Sequence, residues 1–148
     1  MSIQSTVVAV RKQLVTVLAA LGLTDVTVSY SHPGADRQVK QAIWCGFANA
    51  TTEIGGLRAG RKTRNETYTQ MLVVEVFGDN TDQEATDTAA LALLAAVDGA
   101  LADDPLIGFV AGEIHWAIIR GWQQVGGTTD RGHASRFEID IEINARLT

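Results

Sequence analysis

The stretch that most constrains this chain runs from Thr69 to Leu101, where a nearly unbroken apolar run gives way to a long amphipathic one. Thr69-Gln-Met-Leu-Val-Val-Glu-Val-Phe77 is rich in β-branched residues, which predicts a central strand covered on both faces. Gly78-Asp79-Asn80 breaks that strand. Thr81-Asp82-Gln83-Glu84 then fits a capping box, in which a Thr hydroxyl and a Glu carboxylate satisfy the first free N–H groups of a helix. Asp82, Glu84 and Asp87 also set negative charge at the positive end of the helix dipole. Beyond them Ala90, Leu93, Leu94, Val97 and Leu101 recur at helical spacing as one apolar stripe. The remaining segments must pack around this strand and helix.

Ile3 to Leu21 predicts a first helix, with Val7, Val10, Leu14, Val17, Leu18 and Leu21 on one side and Arg11, Lys12 and Gln13 on the other. Gly22-Leu23 fits a left-handed C-cap with an apolar clasp. Val26, Val28 and Tyr30 alternate with Thr27 and Ser29 as a short, half-exposed strand that His32-Pro33-Gly34 stops. Ile43, Trp44 and Phe47 mark a second strand over Ala42 to Ala48. Residues 49–66 mix Gly55, Gly56 and Gly60 with Arg58, Arg61, Lys62 and Arg64, and read as a long basic hairpin loop. After the second helix, Asp103-Asp104-Pro105 ends helical geometry. Ile114, Trp116, Ile118, Ile119 and Trp122 give a strand within Glu113 to Gln124, and Gly126 to Gly132 is a turn by composition. The last strand alternates most cleanly. Phe137, Ile139, Ile141 and Ile143 point one way, and Glu138, Asp140, Glu142 and Asn144 the other, so one side covers a core and the other faces water or a polar partner.

The order helix, two strands, central strand, helix, two strands describes an α+β domain. The expected architecture is a mixed or antiparallel sheet of about five strands with two helices packed on one face. No repeat or linker divides residues 1–148, so a single domain is expected, long enough to bury ~70% of its unfolded surface. The single cysteine, Cys45, precludes an intrachain disulfide. Arg11 and Lys12 interrupt the first apolar run, and no stretch is expected to approach the ~20 apolar residues of a membrane span. A soluble chain made in the cytoplasm, with no membrane partner, is the expectation. Charge is uneven: residues 1–70 carry eight Lys/Arg against four Asp/Glu, a net of +4, and residues 71–148 carry four against thirteen, a net of −9. Opposite poles meeting in neighbouring copies would explain this, and so would chance clustering.

The sequence shows no reaction. His32, His115 and His133 sit in separate segments, and with one cysteine there is no metal-ligand spacing. No nucleophile elbow, dinucleotide fingerprint or phosphate loop occurs; the glycines before Lys62-Thr63 have the wrong spacing, since Arg61 stands where the second glycine belongs. Cys45, inside a strand, reads as a buried small apolar residue. Glu138, Asp140 and Glu142 lack the loop spacing of a calcium site and read as a solvated face or a functional surface. No catalytic residue, metal or cofactor is therefore assigned. Arg58, Arg61, Lys62 and Arg64 admit three readings: a contact to a neighbour's acidic surface, a solvated loop, or weak, salt-sensitive binding of nucleic-acid phosphates.

Taken together, Ala42-Ile-Trp44 opening a strand, the Gly/Arg-rich loop leading to Arg64-Asn-Glu66-Thr-Tyr68, the helix running into Asp104-Pro105-Leu106-Ile107-Gly108 and the closing Ile143-Asn-Ala-Arg-Leu147 resemble the tail terminator, or tail completion, proteins of long-tailed bacteriophages. The resemblance lies in layout, over nearly the whole chain. It implies a non-enzymatic virion protein at the head–tail junction. Copies would form a ring, commonly a hexamer, that ends polymerisation of the tail tube protein and presents a surface to the head-side connector or stopper. DNA would pass through the lumen without specific binding. It further implies that the loop bearing Arg58, Arg61, Lys62, Arg64 and Glu66 reaches a neighbouring subunit or the tube. Glu138, Asp140 and Glu142 would meet a basic neighbour or line the lumen, where negative charge repels DNA. Two alternatives stand beside it: another neck component, such as a stopper or adaptor, and a small ligand-binding protein or enzyme with a pocket under Trp44, Trp116 or Trp122.

Overall fold

The structure is a computed structural model, and it describes residues 5–34, 40–53, 64–78, 82–109, 113–129 and 132–147. The elements follow the expected order: α1 (Val7–Ala19), β1 (Val26–Ser29), β2 (Gln41–Glu53), β3 (Arg64–Gly78), α2 (Gln83–Asp103), β4 (Ile114–Thr129) and β5 (Gly132–Leu147). The strands make one five-stranded sheet in the order β1-β2-β3-β5-β4. β1 runs parallel to β2 and every other neighbouring pair is antiparallel, so the sheet is mixed. β3 is its middle strand, as its apolar run requires.

Both helices lie on one face. Val10, Leu14 and Leu18 of α1 and Ala90, Leu93, Leu94, Val97 and Leu101 of α2 join the inward residues of β5 in one core. Ile139, Ile141 and Ile143 are 0% exposed, whereas their neighbours Glu138, Asp140 and Glu142 point to the opposite face. This is the period-two rule of a strand buried on one side. Contrary to the expectation that no stretch approaches a membrane span, α2 is 21 residues long and apolar enough, by length and composition, to cross one. Its stripe is instead buried against the sheet, which makes it a core helix.

Four other expectations change. β3 is not sandwiched between two layers: on the face away from the helices Val73 is covered by Trp44 and Ala42, side chains of the sheet itself. The N-cap of α2 is Asp82, whose Oδ1 accepts from Ala85 N at 2.7 Å; Thr81 lies outside the described residues. The β2–β3 ladder continues to Glu53↔Asn65, so residues 49–53 and 64–66 are strand and not loop. The β4–β5 ladder likewise reaches Thr129↔Gly132, taking residues 126–129 out of the expected turn. In both hairpins backbone pairing runs past the point where apolar alternation stops, because a ladder needs no buried side chain once it is nucleated. α1 is described from Val7, and Gly22 after it is left-handed (φ +64°), as expected.

Truncating one core residue of β5 separates its two faces. Ile141→Ala is expected to lower unfolding free energy by about 2–5 kcal/mol and Asp140→Ala by less than about 0.5 kcal/mol, both read by urea denaturation.

Candidate functional site: the open face of the sheet

The face away from the helices is built by every second residue of β3 and β5. The register sets Thr69 opposite Glu142, Met71 opposite Asp140, Val73 opposite Glu138 and Glu75 opposite Arg136. The three acidic residues expected to act together therefore stand in one row, as the alternation of β5 demands. Their environments differ. Glu142 accepts from Trp116 Nε1 at 3.0 Å and from Arg120 Nε and Nη2 at 3.2 and 2.9 Å. The Arg120 guanidinium, helped by the indole, holds its carboxyl below the usual carboxylate range. The contact is thus intact at neutral pH and is lost only as the pH falls through that lowered value. Glu138 lies 3.9 Å from Arg136 Nη1, but Arg136 is held mainly by Glu75 Oε2, at 2.7 Å from Nε and 2.6 Å from Nη2. The same guanidinium sits over the Trp44 ring, 5.7 Å from its centroid. Asp140, between the two, is exposed.

Beside this row the sheet is bulged. The register of β2 and β3 shifts between Cys45 and Ala48, leaving Gly46 and Phe47 opposite Met71. The bulge is fixed from the helix side: Gly46 O accepts from Arg11 Nη2 at 2.8 Å and Gln70 Nε2 at 3.1 Å, and Gln70 Oε1 accepts from Arg11 Nε at 2.9 Å. Gln70 is wholly buried. A Cβ at Gly46 would meet the terminal methyl of Met71, the flexible end of that side chain, which would have to move aside. Phe47 is turned out and is 70% exposed. With Thr69, Met71, Glu138, Asp140 and Glu142 it lines a shallow groove of about 820 Å³. Sequence reading missed this feature, since it placed Phe47 as an ordinary strand residue and Arg11 on the solvent side of α1. Gly46 within a strand was the available signal.

Of the expected interface residues, Arg58, Arg61 and Lys62 lie outside the described residues, and Arg64 opens β3 opposite Leu147. Glu66 is placed inward. It is 3% exposed and lies beneath the start of α1, where it accepts from Ser5 Oγ at 2.6 Å and from Thr6 N and Oγ1 at 3.1 Å. α1 has no acidic residue in its own first turn and no side-chain cap from Thr6. Glu66, sixty residues away, supplies the negative charge its N-terminus favours. Tyr68 OH joins the cluster through Thr6 Oγ1 at 3.0 Å, and burial above all raises its phenol well above the usual range.

The three tryptophans do not share a pocket. Trp44 is buried on the open face with His32 edge-on at 4.7 Å, and Trp116 is held by Glu142. Trp122 lies on the helix side, edge-on to Phe137 at 5.4 Å, in a groove that includes Leu91, Glu84 and Asp87. The polar groups there bind one another: Asp87 Oδ1 accepts from Gln83 Nε2 at 2.9 Å and Gln124 Nε2 at 3.2 Å. Cys45 is buried on the helix face, where desolvation, partly offset by Arg11, pushes its thiol up to about 11, so it is not a poised nucleophile. Among the described residues no group of His, Cys, Asp and Glu could hold a metal ion.

No protein-family model matches the chain, and no curated protein matches it in sequence. Among solved structures it is similar to a chain of the virion of a native gene transfer agent particle, with a TM-score of 0.61 and 15% identity, over 93% of this chain and 92% of that one. It is also similar to a chain from the sheath/tube terminator structure, in the extended state, of an extracellular contractile injection system (PVC), with a TM-score of 0.51 and 11% identity. That alignment covers 100% of this chain and 58% of the other. At these identities what is shared is the fold, and a tube terminator is the kind of protein that the sequence layout resembles.

Because Glu66 ties α1 to β3, Glu66→Ala is expected to cost about 2–3 kcal/mol, by leaving Ser5 and the Thr6 N–H without their acceptor. Glu66→Gln, which keeps the shape, should cost less. Urea midpoints of the two variants check the order.

Proposed function

We propose that this chain is a structural virion protein that caps the head-proximal end of a phage-like tail tube. Copies form a closed ring, a hexamer by the resemblance to tail terminators, which stops tube polymerisation and offers a surface to the head-side connector or stopper. DNA crosses the ring without being bound. The role needs complementary surfaces and no bond-making step. The observation that carries this reading is the likeness of fold, over nearly the full length of both chains, to a component of a phage-like particle, joined by the likeness to a tube terminator. Charge supports it: a net of −5 suits a conduit better than a DNA-binding protein. Arg58, Arg61, Lys62 and Arg64 are assigned to the contact with a neighbour or the tube. Glu66 supports them from inside by fixing α1. Another neck component is the second reading, because the fold likeness to a virion chain alone does not distinguish positions within the particle.

The reading is tested by electron microscopy of particles carrying a labelled copy of this protein. Label at the head–tail junction, together with overlong tails when the protein is depleted, is the expected result. Label on the head shell or the tail tip, or its absence from particles, contradicts the proposal.

A further inference from the structure

The open face raises a question that the ring alone does not answer, which is why a phenyl ring is turned outward beside three carboxylates. A conduit wall or a merely solvated face accounts for the acids and not for the phenyl. The phenyl is not there by default. Gly46 O is held by two donors from the helix side, Arg11 and the wholly buried Gln70, and that arrangement forces the bulge that exposes Phe47. A phenyl and a methionine together fit the core of a protein contact, where aromatic side chains and Met are enriched, and the carboxylates beside them fit its polar rim. The complementary charge is in the same sequence: residues 58–64 carry Arg58, Arg61, Lys62 and Arg64 and no acid, and Ile54 and Leu57 precede them.

We propose that Phe47, Met71 and the Glu138–Asp140–Glu142 row form the seat for the basic segment, residues 54–64, of a second copy of this chain. The inference rests on the ring reading and gives its subunit contact. Asp140, the exposed member of the row, and Glu138, only loosely held by Arg136, receive the cations. Glu142 is already bound by Arg120 and Trp116 and fixes the edge of the seat. Phe47 and Met71 meet Ile54 and Leu57. Such a contact is heterologous, joining different patches on successive copies, and heterologous contacts close into rings when the rotation permits.

Carbodiimide coupling joins a carboxylate to a lysine amine as an amide with loss of water, and Lys62 is the only amine in residues 54–64. The test couples rings assembled on tails from a mixture of ¹⁴N and ¹⁵N chains. The expected product links Lys62 of one chain to Asp140 or Glu138 of another. Phe47→Ser should weaken ring formation by about tenfold or more, and Asp140→Lys should abolish the link, with the urea midpoints of both near that of the unaltered chain. Links confined within one chain, or from the acidic row to the tube protein, overturn the proposal. So does equal assembly by the Phe47→Ser and Asp140→Lys variants, an outcome that leaves the ring itself standing. If the unaltered chain forms no ring on tails, the functional reading fails with it.

Discussion

The rest of the structure depends on one asymmetry: the helices cover a single face of a five-stranded sheet. The burial of Ile139, Ile141, Ile143, Leu72 and Val74 against α1 and α2 is the main source of stability. The same alternation that fills this core puts Glu138, Asp140 and Glu142 on the other side, with no freedom to be elsewhere. A strand buried on one face has its opposite face chosen for it. What that face carries is then the part of the molecule open to selection for contact.

The open face manages its exposure with its own side chains. Ala42, Trp44 and Val73 make a small second cluster, roofed by the Arg136 guanidinium that Glu75 holds in place. The buried polar groups follow the same logic. Gln70 serves the bulge carbonyl, Glu66 serves the N-terminus of α1, and no described buried side-chain polar atom lacks a partner. Since unsatisfied buried groups cost about 1–3 kcal/mol each, these contacts fix the positions of α1 and of the bulge closely. The exposed Phe47 is thus held by the core, through Arg11 and Gln70.

Much of this was legible in the residues. The stripe from Ala90 to Leu101 and the alternation from Phe137 to Asn144 placed both partners of the core on the correct faces, because burial imposes a period that one sequence displays. The N-cap fell one residue later than read, at Asp82, since both Thr81 and Asp82 are good caps and local sequence does not choose between them. The ends of the two hairpins run past the expected strands because residues such as Thr51, Thr52, Gly126 and Gly127 show no apolar alternation, yet their backbone continues the ladders. Gly46 within a strand was the one local sign of the bulge, and the capping of α1 by Glu66 had none, as it depends on a partner sixty residues along the chain. The basic segment was visible only as composition.

The chain shares its fold with a component of a gene transfer agent virion, and the fixed, acidic, aromatic-bearing face is the surface on which the proposed contact acts. The central claim is that this face is solvated in the free subunit and covered in the assembled one. Hydroxyl-radical footprinting of free protein and of protein assembled on tails measures this directly, reading oxidation at Phe47 and Met71 against Tyr68, which is already buried within the single chain. The account predicts strong oxidation of Phe47 in the free chain and protection on assembly, with Tyr68 unchanged. Equal oxidation of Phe47 in both states would contradict it.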